Sequence, residues 1–324
     1  MKLVRYLVAP VILAVALTTL VLVGHAKATT VEFWMSPGAT GTGLSQTDPA
    51  GTLGQVQSTI QANNPGAVDI QVRMAPGQYN ETGTVNWQIS HVEFLPWSYN
   101  GGGWPAVEAA GGYPVIDGRC STTNYIVDIF GSHVTFTYIK LQNRLSGLIQ
   151  PQPGTTGDYF YGDYFTRVGN AYCPGTSPGY GAVLPYGTTD WSIVNCHFVD
   201  LVNSVTNSEG GPGQIHGIYA EHHATGGIVE SNAFQDISGD PVRLRDGVNG
   251  TTVSNNKFTA TGNRGYIGDW YSISTGESPS YSNVGSGNTW GGYYDNTPPE
   301  TPDFCYDSGP SYVCPSSRMN ITGS

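Results

Sequence analysis

The sequence predicts an all-β protein, a single-stranded right-handed parallel β-helix with a short N-terminal capping helix. Three observations predict it: an internal period of 24 residues, short strand-like segments with no helical pattern between them, and a glycine-rich composition. The chain contains 44 Gly and 20 Tyr but only 11% charged residues, which suits many strands joined by tight turns. Its aromatic and β-branched residues are too plentiful for a disordered chain.

The period is clearest in the second half of the chain. Three segments share one pattern, an aliphatic residue followed five positions later by phenylalanine: 193–198, 229–234 and 253–258. The second and third begin 24 residues apart, and the first two begin 36 apart, with a Gly/Ser/Asn-rich insertion at 203–214 between them. A fourth copy, 288–290, follows a further insertion near 274–282. Repeats of this length are typical of solenoids, whose coils stack over one continuous core.

A second strand repeats with the same period. Segments 182–184, 218–220 and 242–244 superimpose when the insertion is allowed for, and 125–131 and 134–141 resemble two strands of an earlier coil. Alternation within each strand turns one face to the core and the other to solvent. Parallel strands in one sheet are connected almost always with a right-handed crossover, which sets the predicted hand.

Both ends of the predicted solenoid have distinct patterns. Leu53, Val56 and Ile60 fall on one face of a helix predicted over 52–62, which would cover the exposed edge of the first coil. The Pro/Gly-rich region from about residue 272 is less regular and is expected to form an irregular C-terminal cap. We therefore expect one β-helix domain over 29–324.

The N-terminus predicts export. Lys2 and Arg5 precede an apolar run at 7–23, and Ala-Lys-Ala at 26–28 offers small residues to a signal peptidase. The expected signal peptide is 1–28, with an uncleaved membrane anchor as the alternative; cleavage leaves a secreted, extracellular protein without a membrane partner. The remaining chain carries ten basic and 24 acidic residues, a net charge of −14. Nucleic acid is excluded as a partner, since its phosphates need a basic face.

Five cysteines remain after export, in a compartment that permits disulfides. We expect Cys305 to pair with Cys314, and Cys120 with Cys173. Cys196 lies in a strand-like run and is predicted to be a buried free thiol. The absence of any Cys-x-x-Cys spacing argues against a structural zinc site, and no metal site is predicted.

The whole pattern resembles the pectate-lyase-like superfamily of right-handed parallel β-helix proteins. Besides the repeats, the resemblance rests on FWMSPG at 33–38, GTL at 51–53 and MAPGQY at 74–79, and it covers nearly all of 31–290. It implies the fold but no single reaction, because the superfamily includes polysaccharide lyases, glycoside hydrolases, uronate epimerases and non-catalytic adhesion modules. Similar lyases and epimerases use Arg, Lys, His or Tyr as catalytic groups, and calcium assists many related lyases.

The outward side chains of the middle coils form the candidate site. A spacing of 24 residues places Tyr219 beside Arg243, since neighbouring strands lie about 4.8 Å apart. The same spacing predicts an alternating charged column of Glu221, Arg245 and Asp269. The insertion 203–214 precedes this region, and extended loops on one side of a solenoid usually mark its binding face.

Histidines flank this strand: His216 lies at its start and His222 at its end. The combination suggests β-elimination on a uronic acid, which needs a base, an acid and a cation beside the substrate carboxylate. His216 and Tyr219 are the candidates for base and acid, in an order that the sequence leaves open. Arg243 or Arg245 is the candidate for the carboxylate.

Five further residues are the predicted contacts with substrate: Glu221, His222, Asp269, Trp270 and Tyr271. Exposed aromatic residues support a sugar ligand, since the C–H faces of sugar rings pack on flat aromatic rings. A similar cluster of aromatic residues lies at 159–165. Packing of loops onto the coils is the structural alternative for both clusters.

Three functions remain open at this level. The first is a polysaccharide lyase, or the related C5-epimerase, acting on a uronate-containing polymer. The second is a glycoside hydrolase that pairs Glu221 with Asp246, Asp269 or Asp240. The third is a non-catalytic carbohydrate-binding or adhesion module, in which the charged column only stabilises the stacked coils at about 0–1 kcal/mol per exposed pair.

No cofactor is required by these residues, although Ca²⁺ is a candidate. Its carboxylates would come from Asp236, Asp240, Asp246 and Asp269, whose spacing matches no known calcium loop. The expected partner is a polysaccharide, and a solenoid capped at both ends is expected to be a monomer.

Overall fold

The structure is a computed structural model. It describes residues 30–63, 69–99, 112–122, 124–204, 206, 211–262 and 265–294, and the backbone of 306–307, 312–313 and 319–322. The predicted signal peptide 1–28 and the predicted pair of Cys305 and Cys314 lie outside the described residues. No helix within the described part of the chain is long and apolar enough to cross a membrane.

The described strands form three parallel sheets, and their labels follow the chain. The ten-stranded sheet contains, in spatial order, β1 (Val31–Met35), β2 (Ile70–Met74), β5 (Val92–Pro96), β8 (Val134–Thr137), β11 (Tyr159–Tyr161), β14 (Ser192–Val194), β17 (Ile228–Glu230), β20 (Thr252–Ser254), β23 (Asn283–Ser286) and β27 (Met319–Thr322).

The eight-stranded sheet contains β3 (Gly77–Asn80), β6 (Pro114–Ser121), β9 (Lys140–Arg144), β12 (Tyr164–Val168), β15 (His197–Leu201), β18 (Ala233–Ile237), β21 (Lys257–Thr261) and β24 (Thr289–Gly291). The seven-stranded sheet contains β4 (Val85–Trp87), β7 (Val127–Ile129), β10 (Gly147–Pro151), β13 (Gly181–Val183), β16 (His216–Ala220), β19 (Val242–Arg245) and β22 (Ile267–Trp270).

The remaining elements among the described residues are one α-helix, α1 (Leu53–Asn63), two short 3₁₀ turns (Pro212–Gln214 and Ile273–Thr275), and an antiparallel pair of β25 (Tyr306–Asp307) with β26 (Tyr312–Val313). Leu53, Val56 and Ile60 of α1 are fully buried, as predicted for a helix that packs on the first coils.

The chain passes repeatedly from the ten-stranded to the eight-stranded to the seven-stranded sheet, and each strand pairs with the strand one coil later. This confirms the predicted right-handed parallel β-helix. In these coils the corner between the ten-stranded and the eight-stranded sheet is two residues long, and the first of the two lies in the left-handed region. Asn195, Ser231 and Asn255 occupy this position in three successive coils, with φ of 56°, 58° and 56°. A left-handed residue turns the chain sharply, which allows two strands to be joined by so short a link.

The predicted repeats are neighbours in space. Val229 pairs with Val253 and Phe234 with Phe258. A continuous stack of rings runs through the core, with centroids 4.7–5.0 Å apart: Phe165, Phe198, Phe234, Phe258 and Trp290. Gly217 permits this packing, because a Cβ atom there would lie 2.7 Å from the ring of Phe234.

One predicted register is wrong by a single residue. The sequence alignment set Ala182 opposite Ile218, but Val183 is the residue that pairs with Ile218. Strand partners across the insertion are therefore 36 residues apart in the ten-stranded sheet, from Ile193 to Val229, but only 35 apart in the seven-stranded sheet, from Val183 to Ile218. The composition of the insertion does not show how many of the extra residues lie before a given strand and how many lie after it.

The cysteine predictions hold where the structure describes them. Cys120 and Cys173 form a disulfide that spans 53 residues, and Cys196 is a buried free thiol. Burial raises the pKa of the Cys196 thiol, which keeps it protonated and unreactive at neutral pH.

A ladder of buried amides lines the corner between the ten-stranded and eight-stranded sheets. Asn232 Oδ1 accepts from the backbone N–H of Cys196 at 2.8 Å, and Asn256 and Asn288 repeat this bond in the next two coils at 2.9 Å each. Each amide nitrogen also donates to a backbone carbonyl of the preceding coil. Cys196, Asn232 and Asn256 occupy equivalent positions in successive coils and therefore form a structural stack.

Asp163 occupies the corresponding ladder position one coil before Cys196. Its Oδ1 accepts from the backbone N–H of Ile139 at 2.8 Å. Burial raises the pKa of this carboxyl well above its ordinary value. Folding therefore favours the protonated acid, and the stability that it contributes is lost as the pH rises above the ordinary aspartate pKa of about 4.

Asp163→Asn is expected to stabilise the protein at alkaline pH by roughly 1–3 kcal/mol, because an amide fits the ladder without ionising. Urea unfolding at pH 8 and pH 4.5 measures this, and the gain over wild type should shrink at the lower pH. Asp69→Asn, at an exposed position, is the control and should change little. An equal effect of Asp163→Asn at both pH values would contradict an ionisable ladder position.

Candidate functional site

The outer face of the seven-stranded sheet carries the predicted site. Tyr219 is the strand partner of Arg243, as the period predicts. The next coil differs, because Leu244 pairs with Asp269 and Arg245 with Trp270. Glu221 keeps the predicted 24-residue spacing to Arg245, but the prediction that Asp269 continues this column is wrong.

The reason is a single extra residue. Partners on β19 and β22 are 25 residues apart rather than 24. In a strand, a shift of one position moves a side chain to the opposite face. Trp270 takes the predicted place of Asp269, with its ring centre 4.1 Å from the guanidinium carbon of Arg245.

Small residues make room for Tyr219 on this face. Tyr219, Tyr125 and Leu184 form a buried cluster outside the main core. A Cβ atom at Gly181 would lie 3.3 Å from Tyr219, and one at Gly147 would lie 2.4 Å from the ring of Tyr125. The two glycines therefore let both tyrosine rings lie against the sheet.

Three nitrogen atoms of Arg245 donate hydrogen bonds to two residues. Its Nη1 donates to the Tyr219 hydroxyl at 2.6 Å, its Nε donates to Glu277 Oε2 at 2.8 Å, and its Nη2 donates to Glu277 Oε1. Its side chain remains 24% exposed. Burial would raise the pKa of Glu277, but the hydrogen bonds from Arg245, Ser272 and Thr275 and the charge of Arg245 together outweigh it, so that the pKa is lowered and Glu277 is ionised. This pairing shows how Arg245 binds a carboxylate with two hydrogen bonds.

Tyr219 is a protonated phenol in this setting. Burial raises its pKa to about 12, and the charge of Glu221 adds to the rise, against the opposing effect of Arg245. The pKa of the neighbouring Glu221 carboxyl is itself raised, mainly by burial. The arrangement suits a proton donor better than a base.

His222 is the exposed titratable group of the site. Its side chain is 42% exposed, its Nδ1 lies 3.0 Å from Asp246 Oδ2, and its Nε2 lies 3.9 Å from Glu221 Oε2. The ring of Tyr186 packs edge-on against it, with centroids 4.5 Å apart. When Nδ1–H donates to Asp246, the lone pair of the neutral imidazole is on Nε2. The contact with Asp246 thereby holds the imidazole of His222 in one orientation, in which Nε2 could act as a base.

His216 is placed differently, since it is only 3% exposed. Its Nδ1 donates to the backbone carbonyl of Asp240 at 2.7 Å, and its ring centre lies 4.9 Å from that of Tyr219. Burial lowers the pKa of His216 to about 3, with a further contribution from Arg243. It is therefore a neutral group that packs behind Tyr219.

Arg243 is also buried and forms an ion pair with Asp240. The second oxygen of Asp240 accepts from the backbone N–H of Gly265 at 3.0 Å. The side chain of Arg245 is 24% exposed and that of Arg243 is 9% exposed, so Arg245 is the more accessible of the two cations. Asp269 and Tyr271 are buried as well, and their contact with substrate stays a prediction.

The structure adds two residues that the sequence analysis did not single out. Glu277 lies in the second insertion, outside any repeat, so the period offers no signal for it. Tyr186 forms a bridge with Glu221 across 35 residues, the spacing that also joins Val183 to Ile218. A correct register for that coil would have placed Tyr186 beside the site.

No group of three or more His, Cys, Asp or Glu side chains within the described ranges is arranged to hold a metal ion. The four aspartates considered for calcium include Asp240 and Asp246. Asp240 is paired with Arg243, and Asp246 contacts His222 and accepts from the backbone N–H of Ser278 at 3.0 Å.

The sequence matches no protein-family model and no curated protein. Among solved structures, it is similar to an alginate lyase from Paenibacillus sp. str. FPU-7, with a TM-score of 0.51, 14% identity, and coverage of 79% of this chain and 76% of the lyase. A rhamnogalacturonan lyase has a TM-score of 0.48 at 13% identity, with coverage of 90% of this chain and 62% of that one.

Pectate lyase Pel9A has a TM-score of 0.38 at 11% identity, with coverage of 92% of this chain and 77% of that one. At such low identity, likeness to a solved structure shows the fold alone, and the alginate lyase is the neighbour that supports it. The chain shares the right-handed parallel β-helix fold that its resemblance to the pectate-lyase-like superfamily implies.

Proposed function

We propose that this protein is a secreted polysaccharide lyase that cleaves a uronate-containing polymer by β-elimination. The proposal rests on one observation: two pairs of interacting side chains lie next to each other on the outer face of the seven-stranded sheet. Arg245 holds the hydroxyl of Tyr219, and Asp246 holds the exposed imidazole of His222. The residues proposed as base, acid and carboxylate-binding cation therefore lie on neighbouring coils.

The proposed reaction assigns one role to each group. His222 Nε2 takes the proton from C5 of the uronate, and Arg245 binds the uronate carboxylate and stabilises the carbanion that forms. The electron pair of the C5–H bond becomes the C4–C5 double bond as the C4–O bond breaks. Tyr219 gives its proton to the departing glycosidic oxygen. Water then returns the proton from His222 to Tyr219, which restores the enzyme.

The buried residues support these groups from behind. We propose that His216 and Arg243 position Tyr219 without contacting substrate, because His216 Nδ1 is bound to the backbone carbonyl of Asp240 and Arg243 is paired with the Asp240 carboxylate. Glu221 and Trp270, at the edge of the site, are proposed to contact the sugar, together with Tyr186. In this proposal the substrate carboxylate competes with Glu277 for Arg245.

The glycoside hydrolase remains the second candidate, on a specific observation. Glu221 and Asp246 both approach the imidazole of His222, at 3.9 and 3.0 Å. The pKa of Glu221 is raised by burial, which is the property of a general acid. Asp240 is less suitable as its partner, because Arg243 already neutralises it.

The test is a screen of soluble polysaccharides, including pectate, alginate, glucuronan and glycosaminoglycans. A lyase leaves an unsaturated uronate, so ultraviolet absorbance is expected to rise with at least one polyuronate. Arg245→Met should lower this rate by at least 100-fold, since it removes the carboxylate-binding cation. Lys140→Met, on the outer face of the eight-stranded sheet, is the control and should retain activity.

Two outcomes would reject the lyase. Release of reducing ends without absorbance would indicate the hydrolase. Retarded migration in an affinity gel without any cleavage would indicate a carbohydrate-binding or adhesion module.

A further inference from the structure

We propose that the outer face of the ten-stranded sheet holds a second glycan-binding groove, which takes uncharged sugars. The groove has a volume of about 610 Å³ and lies over β2, β5, β8 and β11. The candidate lyase site lies on a different sheet, the seven-stranded one. The proposal therefore does not depend on the proposed reaction, and it assigns a separate role to this face.

The parallel register builds the floor of the groove. Gln71, Glu93, Thr135 and Tyr159 are successive strand partners across four coils, and all four line the groove. Their inward neighbours, such as Phe136, belong to the buried core. Because strands repeat about every 4.8 Å, the groove presents a regular row of side chains to an extended ligand.

Aromatic rings form the sides of the groove. His91 and His133 are both exposed, and their rings stack at 4.8 Å with an interplanar angle of 20°. Tyr159 and Tyr161 stack at 5.9 Å with an angle of 21°. Tyr99 also lines the groove. Flat rings of this kind offer surfaces on which the C–H faces of sugar rings pack.

The polar groups favour hydroxyl groups over carboxylates. Glu93 accepts hydrogen bonds from Gln71 at 3.0 Å and from Thr137 at 3.1 Å, and Asp69 lies at the edge of the groove. The nearby cation, Arg73, is paired with Glu32. Carboxylates accept hydrogen bonds from sugar hydroxyls but repel a uronate, so a neutral glycan is the expected ligand.

The proposal is tested by isothermal titration of the full-length protein with soluble neutral polysaccharides: galactan, xylan, mannan and mixed-linkage β-glucan. Binding of at least one is expected, and Tyr159→Ala and His133→Ala should each weaken it by at least tenfold. Thr135→Trp is a second type of variant, because it fills the groove without removing a ring. It should weaken the same binding.

Tyr164→Ala is the matched control. Tyr164 lies on the outer face of the eight-stranded sheet, where it stacks on His197 at 5.8 Å outside the groove. Its loss should leave binding unchanged, as should Arg245→Met, which separates this groove from the lyase site. Failure of the wild-type protein to bind any of the four glycans would overturn the proposal, and so would equal weakening by Tyr164→Ala.

Discussion

Replacing His222 with asparagine is expected to lower the rate of polymer cleavage by about 10²–10⁴-fold, the usual contribution of a positioned general base. Asparagine is the appropriate substitute, because His222 has φ of 52° and asparagine tolerates this left-handed conformation. It can still donate a hydrogen bond to Asp246 but cannot take a proton from carbon. A loss of activity in this variant would therefore reflect the missing base and not a failure to fold.

The pH dependence of kcat/KM sharpens this test. A catalytic base acts only in its unprotonated form, so the wild-type rate is expected to depend on pH. His222→Asn should lack this dependence in whatever activity remains. Initial rates of ultraviolet absorbance across pH 5–9 measure both properties on the polyuronate that the screen selects.

His223→Asn provides the control, since it makes the same change one position along the chain. His223 has φ of 62°, and its Nε2 lies 4.0 Å from Asp246 Oδ1. Its side chain is 67% exposed and has no role in the proposed reaction. Comparable losses in the two variants, or full activity in His222→Asn, would remove His222 as the base.

Replacing Arg144 with methionine is expected to destabilise the protein by about 3–5 kcal/mol. Arg144 is fully buried at the end of β9, on a column that continues with Val168, Leu201 and Ile237. Burial lowers its pKa to about 10, which leaves it charged at neutral pH, and the charges of Asp128 and Glu81 oppose the shift.

Four backbone carbonyls explain the size of this effect. Arg144 donates to the carbonyl oxygens of Glu81 at 3.2 Å, Gly118 at 3.1 Å, Gly83 at 2.9 Å and Tyr125 at 2.6 Å. The carbonyls of Glu81, Gly83 and Tyr125 belong to segments that connect the eight-stranded to the seven-stranded sheet, and that of Gly118 lies within β6. A methionine fills the space but leaves the buried acceptors without this partner, at a cost of roughly 1–3 kcal/mol each before relaxation.

Urea unfolding measures the prediction, with Lys257→Met as the control. Lys257 is exposed on β21, so its replacement should change the free energy of unfolding by less than about 0.5 kcal/mol. A loss below about 1 kcal/mol in Arg144→Met would show that the connecting segments find other donors and that the arginine is dispensable.

The fold was predicted from the 24-residue period of the sequence. In a parallel β-helix the strand partner of a residue lies one coil away, so a repeat in sequence is also a contact in space. Phe198, Phe234 and Phe258 therefore appear as a stack of rings, and Tyr219 appears beside Arg243. The same reasoning identified the outer face on which the candidate site lies.

Variation in coil length limited how well the period predicted strand register. A coil that departs from 24 residues changes the register by a residue or two, and one residue is enough to exchange the core and solvent faces of a strand. Ala182 and Asp269 were both misplaced for this reason. The position of an extra residue depends on how a turn packs, which a local sequence pattern does not contain.

The architecture, the stacking of the core and the wall that carries the candidate chemistry could all be predicted from the sequence, because all three follow from a repeat. The folded structure was needed to establish which side chains on that wall face solvent. It buried His216 and Arg243, left His222 exposed against Asp246, and brought Glu277 from an insertion onto Arg245. Exposure and ion pairing arise from contacts between distant segments, and no period encodes them.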